Sequence, residues 1–453
     1  MHINLWILFI VDKATIAGRK TTRQVSWDIT RGTLVLSIFV LYLIGTHLRL
    51  SIYADGSILL PMYLMVLSAA MFSFLFMNRL LRYTGISLTI FAAFILTQPA
   101  LTLAPESISF GTFLGSLQLL VSVISALAVI YALSTVDRAR LRCLLIVIWC
   151  VVMALAIVEY AGLKPVFDQA RETLYSGSDR FVYFAELRDL EIYGQVRTTA
   201  FASEPSFLAD TLSALALMIF FLDPQRGRFW SWLRLAFIIA ASFTLTPSFK
   251  IAFYLLAALV WQFWPRDQRG FVIILSSLFV LNVLLLILFE PIYGLLVEAV
   301  GGYVESGSFY GRIVIGPTVG WNVLTTYPIY GYGIGNEEGL YPVIAQVWQG
   351  SGAFQLFPWY LDLPATDLMT NGFWWQWIFL GAGGGLIFTM LTLRLLSQIG
   401  VEMPLRTLVC TWIVWYSGFA FVDPLSWYVV VVFAVGAVPP RKAVRNQHID
   451  GTK

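Results

Sequence analysis

Long apolar runs alternate with short polar segments along the chain from about residue 33 onward. Most of these runs approach the ~20 residues that a helix needs to cross the hydrocarbon core of a bilayer. The pattern therefore predicts membrane-spanning helices at about 33–48, 57–77, 84–103, 111–133, 143–161, 206–222, 271–289, 372–396, 407–421 and 426–438.

Residues 235–264 form a longer apolar stretch that "PSFK" interrupts. A single span across this stretch would bury Lys250 in lipid, which is costly. We therefore predict two short spans joined by a tight turn, which makes twelve spans in total.

The distribution of Lys and Arg favours this topology, because cytoplasmic segments of membrane proteins are enriched in both. Twelve spans leave only eight of the 29 Lys and Arg residues on the outside and make every inside loop basic, with both termini cytoplasmic. The outward residues are Arg49, Lys164, Arg171, Arg180, Arg188, Arg197, Lys250 and Arg312.

Composition agrees with a polytopic membrane protein of the all-α class. The chain is 58% hydrophobic and only 12% charged, and its net charge of +3 indicates no nucleic-acid partner. We predict a single transmembrane domain over 1–453 with two long ordered outside loops, 162–205 and 290–371. The three histidines, His2, His47 and His448, lie outside these loops, and no metal or cofactor is expected.

The stretch "QVRTTAFASEPSFLAD" (195–210) places ionisable groups at the mouth of a span. Glu204 and Pro205 are typical of a helix start. Asp210 lies on a polar stripe at helical spacing, which should face a wet cavity or a partner charge. A functional carboxylate and a structural ion pair with Lys250 both fit Asp210. The stripe consists of Ser203, Ser206, Asp210 and Ser213.

The second outside loop contains "GRIVIGPTVGWNVLTTYPIYGYGIGN" (311–336). It predicts a helix from Arg312 to Thr326 and then a tight glycine turn, since the spacing does not fit a nucleotide-binding motif. Exposed aromatic rings with interleaved carboxylates suit sugar binding, although packing of the loop onto the membrane explains them equally well. The rings assigned to sugar are Tyr332, Trp348, Trp359 and Tyr360.

Four segments in order resemble the superfamily of Wzy-type O-antigen polymerases and O-antigen ligases of bacterial envelopes. They are "RTTAFASEPSF", "LTPSFK", the segment 311–336 and "TNGFWWQWIFLGAGGGLIF". The resemblance implies a GT-C-like membrane fold in the bacterial inner membrane. It also implies that Arg197, Lys250 and Arg312 hold the diphosphate of an undecaprenyl-linked glycan.

The implied reaction is glycosyl transfer between two such lipid-linked glycans on the periplasmic face, with Glu204 or Asp210 as the proton acceptor. Ligases of the superfamily carry a His where this chain has Thr370, which favours a polymerase over a ligase. A lipid-linked oligosaccharide flippase is a further alternative, but the charges concentrate in loops on one side. A chain-length regulator and a flippase are the partner proteins that the resemblance implies.

Overall fold

The computed structural model describes residues 22–54, 57–60, 62–102, 104, 108–176, 186–225, 229–265, 276, 307–350 and 358–439. The predicted span 271–289 lies outside the described residues apart from residue 276. In chain order the helices are α1 (Thr22–Leu48), α2 (Tyr63–Leu101), α3 (Phe110–Leu133), α4 (Arg138–Val158), α5 (Lys164–Tyr175), α6 (Glu186–Tyr193), α7 (Pro205–Phe221), α8 (Phe229–Leu245), α9 (Lys250–Gln262), α10 (Gly307–Ile313), α11 (Ile315–Thr326), α12 (Glu337–Gln349), α13 (Ala365–Leu368), α14 (Gly372–Gln398), α15 (Pro404–Trp415) and α16 (Pro424–Ala437).

The chain is a helical membrane protein. Within the described ranges, five helical segments are long and apolar enough to cross a bilayer: Thr30–Leu48, Tyr63–Leu101, Phe110–Leu133, Arg138–Tyr175 and Gly372–Gln398. Helices α7, α8, α9 and α16 are also apolar but shorter. The all-α expectation needs one small amendment, because strands β1 (Ile52–Ala54) and β2 (Ser57–Leu60) form an antiparallel hairpin between α1 and α2.

Helix α2 corrects the predicted spans 57–77 and 84–103. The structure shows one helix of 39 residues where two spans separated by a polar loop were expected. At 1.5 Å per residue it is about 58 Å long, nearly twice the thickness of the hydrocarbon core. The expected loop around Arg79 and Arg82 is helical because no Gly or Pro interrupts the chain there. The count of twelve spans therefore stays a prediction.

The split of residues 235–264 into two short helices is confirmed. Helix α8 ends just before Pro247, whose ring cannot continue a helix. Trp232 at the start of α8 packs on Phe220, and Trp261 at the end of α9 packs on Phe221, each with ring centroids 4.8 Å apart. Both contacts lie at the last turn of α7. Helix α8 therefore starts beside this end of α7, and α9 returns to it.

Helices α7 and α16 form the centre of the protein. Nearly every side chain of both helices is buried, which is the pattern of a helix surrounded by others. Helix α7 contacts α1, α4, α8, α9 and α16, and α16 packs against α3 and α15. The polar residues at the start of α7 are thereby placed where several helices meet.

The described parts of both long outside segments are largely helical. Residues 162–205 contain α5 and α6, and residues 290–371 contain α10 to α13 and the 310 helix Pro358–Asp362. A π-helical turn, Glu159–Leu163, joins α4 to α5 and bends at Gly162, whose φ is 117°. These elements bring the loop residues onto the ends of α7, α9 and α14.

Candidate functional site

A strained turn leads into α7. Ala200 and Phe201 have φ values of 46° and 72°, which are left-handed and unfavourable for residues other than glycine. The buried carboxylate of Glu159 compensates by accepting the backbone N–H groups of Thr199 and Ala200 at 2.9 and 2.7 Å. On the other side, His47 Nε2 lies 2.8 Å from the carbonyl oxygen of Ala200. The turn is therefore held at two points by elements that are distant in sequence.

The predicted helix start at Glu204 is confirmed. Glu204 is the N-cap of α7 with an extended backbone, and Pro205 is the first helical residue. Its half-buried carboxylate accepts a hydrogen bond from the Ser206 hydroxyl at 3.1 Å. Within the described part of the chain, Glu204 forms no ion pair.

Asp210 lies nearly two turns further along α7 and is the centre of the candidate site. Its Oδ2 atom accepts hydrogen bonds from Lys250 Nζ at 2.8 Å and from Arg49 Nη2 at 3.0 Å. All three side chains are at most 6% exposed. The predicted pairing of Asp210 with Lys250 is confirmed. The other oxygen, Oδ1, is buried and has no hydrogen-bond partner.

Arg49 is the residue that the sequence did not assign to the site. It directly follows α1 with φ 53°, and its guanidinium lies 3.4 Å above the ring of Phe207. The contact with Asp210 bridges 161 residues of sequence. The predicted topology could have indicated Arg49 as a site residue. It places Arg49 outside, at the end of a span, where Lys and Arg are disfavoured.

Arg312 completes a group of positive charges. It is half-buried in α10 and close enough to Lys250 for a like-charge interaction. Its Nε atom is buried without a hydrogen-bond partner. Its carbonyl oxygen accepts a hydrogen bond from Asn371 Nδ2 at 2.6 Å. We refer to Arg49, Asp210, Lys250 and Arg312 as the cationic cluster. Among the described residues, two of its cations bind the carboxylate of Asp210 and the third lies close to Lys250.

Arg197 differs from the other predicted diphosphate ligands because it pairs with an aspartate outside the cationic cluster. Its Nη2 and Nε atoms lie 2.8 and 2.9 Å from Asp189 Oδ1, and its guanidinium lies 4.3 Å from the centre of the Tyr193 ring. Both charged side chains are buried. Its role as a diphosphate ligand stays a prediction that this pairing does not support.

The glycine turn of the second outside segment is confirmed. Gly331, Gly333 and Gly335 all have positive φ, between 61° and 97°. The turn also meets α14 closely, since a Cβ atom on Gly331 would lie 2.4 Å from the backbone nitrogen of Gly381. Gln98 Nε2 holds the turn to α14 by donating to the carbonyl oxygens of Tyr330 and Phe379 at 2.7 and 2.8 Å. The glycines are thus explained by packing and backbone conformation.

Two of the aromatic rings assigned to sugar are not exposed. Trp348 is fully buried against Tyr310, and its indole nitrogen faces the carbonyl oxygen of Leu368 at 3.4 Å. Tyr332 is 6% exposed and packs edge-on against Tyr327. The expectation of exposed rings is wrong for both, because they serve as the core of the second outside segment. The side chains of Trp359 and Tyr360 lie outside the described residues.

No family model, curated protein or solved structure matches the chain. Among the described residues, no group of His, Cys, Asp and Glu is arranged to hold a metal ion. The cationic cluster is therefore the feature from which a function is inferred. Three cations around a single carboxylate suit an anionic ligand with several oxygen atoms.

Proposed function

We propose that the protein is a membrane glycosyltransferase that polymerises undecaprenyl-diphosphate-linked oligosaccharide repeats on the periplasmic face of the bacterial inner membrane. The observation that supports this proposal is the convergence of cationic side chains at the cationic cluster: Arg49 and Lys250 meet at Asp210, and Arg312 lies close to Lys250. Cationic donors that converge in this way suit the oxygen atoms of a diphosphate. A diphosphate bound between Arg49, Lys250 and Arg312 would accept hydrogen bonds from all three.

The reaction places specific demands on such a site. A hydroxyl group of the acceptor glycan attacks the anomeric carbon of the donor, and the bond from that carbon to the diphosphate oxygen breaks. Negative charge develops on the leaving diphosphate, where prearranged cations stabilise the transition state. The proton of the attacking hydroxyl passes to a base, and undecaprenyl diphosphate leaves.

The two carboxylates of α7 suit different tasks. Asp210 binds both Arg49 and Lys250 through one carboxylate oxygen. We therefore assign Asp210 to the positioning of Arg49 and Lys250. Glu204 is half-buried, and among the contacts described above its carboxylate accepts a hydrogen bond only from the Ser206 hydroxyl. We therefore assign Glu204 as the base.

The finer features of the architecture belong to the same proposal. Twelve spans with cytoplasmic termini and a GT-C-like arrangement would place the cationic cluster at the outer membrane boundary. Asn371 has a structural role. Its side chain caps α14 by accepting a hydrogen bond from the Trp374 backbone N–H, and it donates one to the carbonyl oxygen of Arg312. Thr370 beside it favours the polymerase over the ligase. The sugar and the final polysaccharide are left open by this proposal.

A complementation experiment tests the function. A host strain lacking the gene is complemented with the wild-type protein or with Arg49→Ala or Lys250→Ala, and surface polysaccharide is separated by size. We expect long polymer from the wild type and single repeats from both variants. Arg234→Ala is the matched control, because Arg234 also pairs with an aspartate, Asp223, but beyond the far end of α7.

The outcomes separate the classes of protein. A deletion strain without any surface glycan would indicate a flippase, and long polymer unattached to lipid A would indicate a ligase. Long polymer from both cluster variants, at wild-type protein levels in the membrane, would refute the proposal.

A further inference from the structure

A continuous series of aromatic side chains begins beside the cationic cluster and crosses three helices. Each of these side chains is half-buried and so keeps part of its ring accessible. We call them the aromatic ribbon. It consists of Phe249 before α9, Phe253 in α9, Tyr416 after α15, Trp412 in α15, and Phe373 and Trp377 in α14.

The first half of the ribbon passes from α9 to α14. Phe249 and Phe253 meet edge to face with ring centroids 5.2 Å apart. Phe253 stacks on Tyr416 at 6.3 Å, and Tyr416 contacts Phe373 at 5.9 Å. These side chains come from three separate parts of the chain, so tertiary packing alone brings them together.

The second half extends along α14 and α15. Phe373 meets Trp412 at 5.8 Å and Trp377 at 6.2 Å, both edge to face. The indole of Trp377 lies against Gly385, where a Cβ atom would come within 2.6 Å of the ring. Gly385 thus leaves room for the indole of Trp377 to lie close to the backbone of α14.

Lys250 lies next to the ribbon along the chain, because it directly follows Phe249 at the start of α9. Its Nζ atom lies 5.1 Å from the centre of the ring of Phe419, three residues after Tyr416 of the ribbon. Gly418 allows this approach, because a Cβ atom there would lie 3.2 Å from Lys250 Cε. The side chain that would hold a phosphate therefore stands at one end of an accessible apolar surface.

We propose that the aromatic ribbon binds the isoprenoid chain of a polyprenyl diphosphate whose phosphates occupy the cationic cluster. This inference rests on the proposed function and names where the lipid portion of the substrate lies. Helix α14 is long and apolar enough to cross the bilayer, and α9 is an apolar helix. A ribbon on these helices suits a hydrocarbon ligand better than a sugar.

Isoprenoid chemistry fits the ribbon in two ways. Flat alkene units and their methyl branches pack against aromatic faces and edges, which offer large apolar contact areas. A long chain spreads its burial over several rings, and each buried CH2 adds to the affinity. Continuity with the cationic cluster selects a chain that carries a diphosphate over an ordinary acyl chain.

The test compares two probes that share the diphosphate and differ in the chain. Binding of inorganic pyrophosphate and of undecaprenyl diphosphate is measured with the full-length protein in nanodiscs. For Phe253→Ala/Phe373→Ala we expect the Kd for undecaprenyl diphosphate to rise about tenfold, with the Kd for pyrophosphate unchanged. Phe253→Leu/Phe373→Leu keeps most of the volume and serves if the alanine variant does not fold, with a smaller rise of about threefold.

Trp230→Ala is the matched control, because Trp230 is a 63% exposed ring at the start of α8 and contacts Phe229 at 5.6 Å. We expect this variant to bind both probes as the wild type does. Equal weakening of both probes by the ribbon variants, or no change in either, would overturn the lipid assignment. Lys250→Ala separates the two proposals: if it binds pyrophosphate like the wild type, the proposed function fails whatever the ribbon variants do.

Discussion

Two buried arginines near α7 pair with aspartates in different surroundings. Arg197 pairs with Asp189 in α6. Arg49 shares the carboxylate of Asp210 with Lys250, and Arg312 lies close to Lys250. The proposed function rests on the second arrangement, because an anionic ligand would bind where several cationic donors converge.

The surroundings of Arg197 and Arg49 are otherwise similar. The guanidinium of Arg197 lies over Tyr193 and that of Arg49 over Phe207, and both arginines are at most 9% exposed. Burial and aromatic contact therefore do not distinguish these two arginines. The described cations around each carboxylate do differ, and they come from residues that are far apart in sequence.

The largest expected effect is on activity. Arg49→Ala should reduce polymer formation by about 100-fold or more, because it removes a donor that stabilises the leaving diphosphate. The protein should still reach the membrane, since Asp210 keeps its contact with Lys250. Polymer yield per molecule of membrane protein is the measurement, and wild-type yield would remove Arg49 from the site.

The corresponding change at Arg197 should affect stability instead. Arg197→Ala leaves Asp189 buried without its partner, which costs about 3 kcal/mol or more. Thermal unfolding in detergent should show a lower midpoint, while the activity of the protein that remains folded stays near wild type. Arg197→Gln combined with Asp189→Asn should recover part of the midpoint. Normal stability with lost activity would instead support Arg197 as a diphosphate ligand.

Removing the Asp210 carboxylate, which Arg49 and Lys250 share, tests the same comparison of the two arginines. Asp210→Asn leaves the cations without their internal counter-charge, so we expect pyrophosphate to bind about tenfold more tightly. The protein without ligand should be less stable, and pyrophosphate should raise its melting temperature more than that of the wild type. Ser213→Ala, on the same face of α7, is the control and should change neither property. Weaker pyrophosphate binding by Asp210→Asn would count against an anion site.

The smallest expected effect concerns an acidic residue among like charges. Burial, together with the carboxylates of Asp423, Asp367 and Glu338, raises the pKa of Glu337 to about 7. The folded protein therefore binds a proton that the unfolded chain has released, and stability should fall as the pH rises from about 4.5 to about 7. Because Glu337 is only half-buried, we expect a loss of about 1–2 kcal/mol.

Melting temperatures between about pH 5 and pH 8 measure this loss. Glu337→Gln should flatten the pH dependence, whereas Glu338→Gln, at an exposed position, should largely retain it. An unchanged slope in Glu337→Gln would assign the pH dependence to another group.

The sequence predicted features that depend on neighbouring residues. Pro247 stops α8, Pro205 starts α7 behind Glu204, and the glycines of 331–335 adopt positive φ. The sequence also indicated the pairing of Lys250 with Asp210, since few other charged residues lie in the apolar spans. Local backbone preferences and the cost of buried charge are both readable from a short stretch of chain.

Two predictions failed, one for a local reason and one because distant packing decides the result. Residues 78–83 looked like a polar loop but continue α2, because helix-forming residues surround Arg79 and Arg82. Trp348 looked like an exposed sugar platform but is enclosed, since its neighbours Tyr310 and Leu368 come from other elements. The hydrophobic pattern does not tell whether an aromatic ring faces a ligand or another part of the protein.

The sequence alone determined that the chain is a helical membrane protein and that charges gather at the start of α7, because apolar length and misplaced cations are local properties. The tertiary structure alone decided which charges meet. Arg197 pairs with Asp189, eight residues away in sequence, whereas Arg49 pairs with Asp210, which is 161 residues away. The physical reason is that a buried ion needs a partner within a few ångströms, and only the folded chain sets those distances.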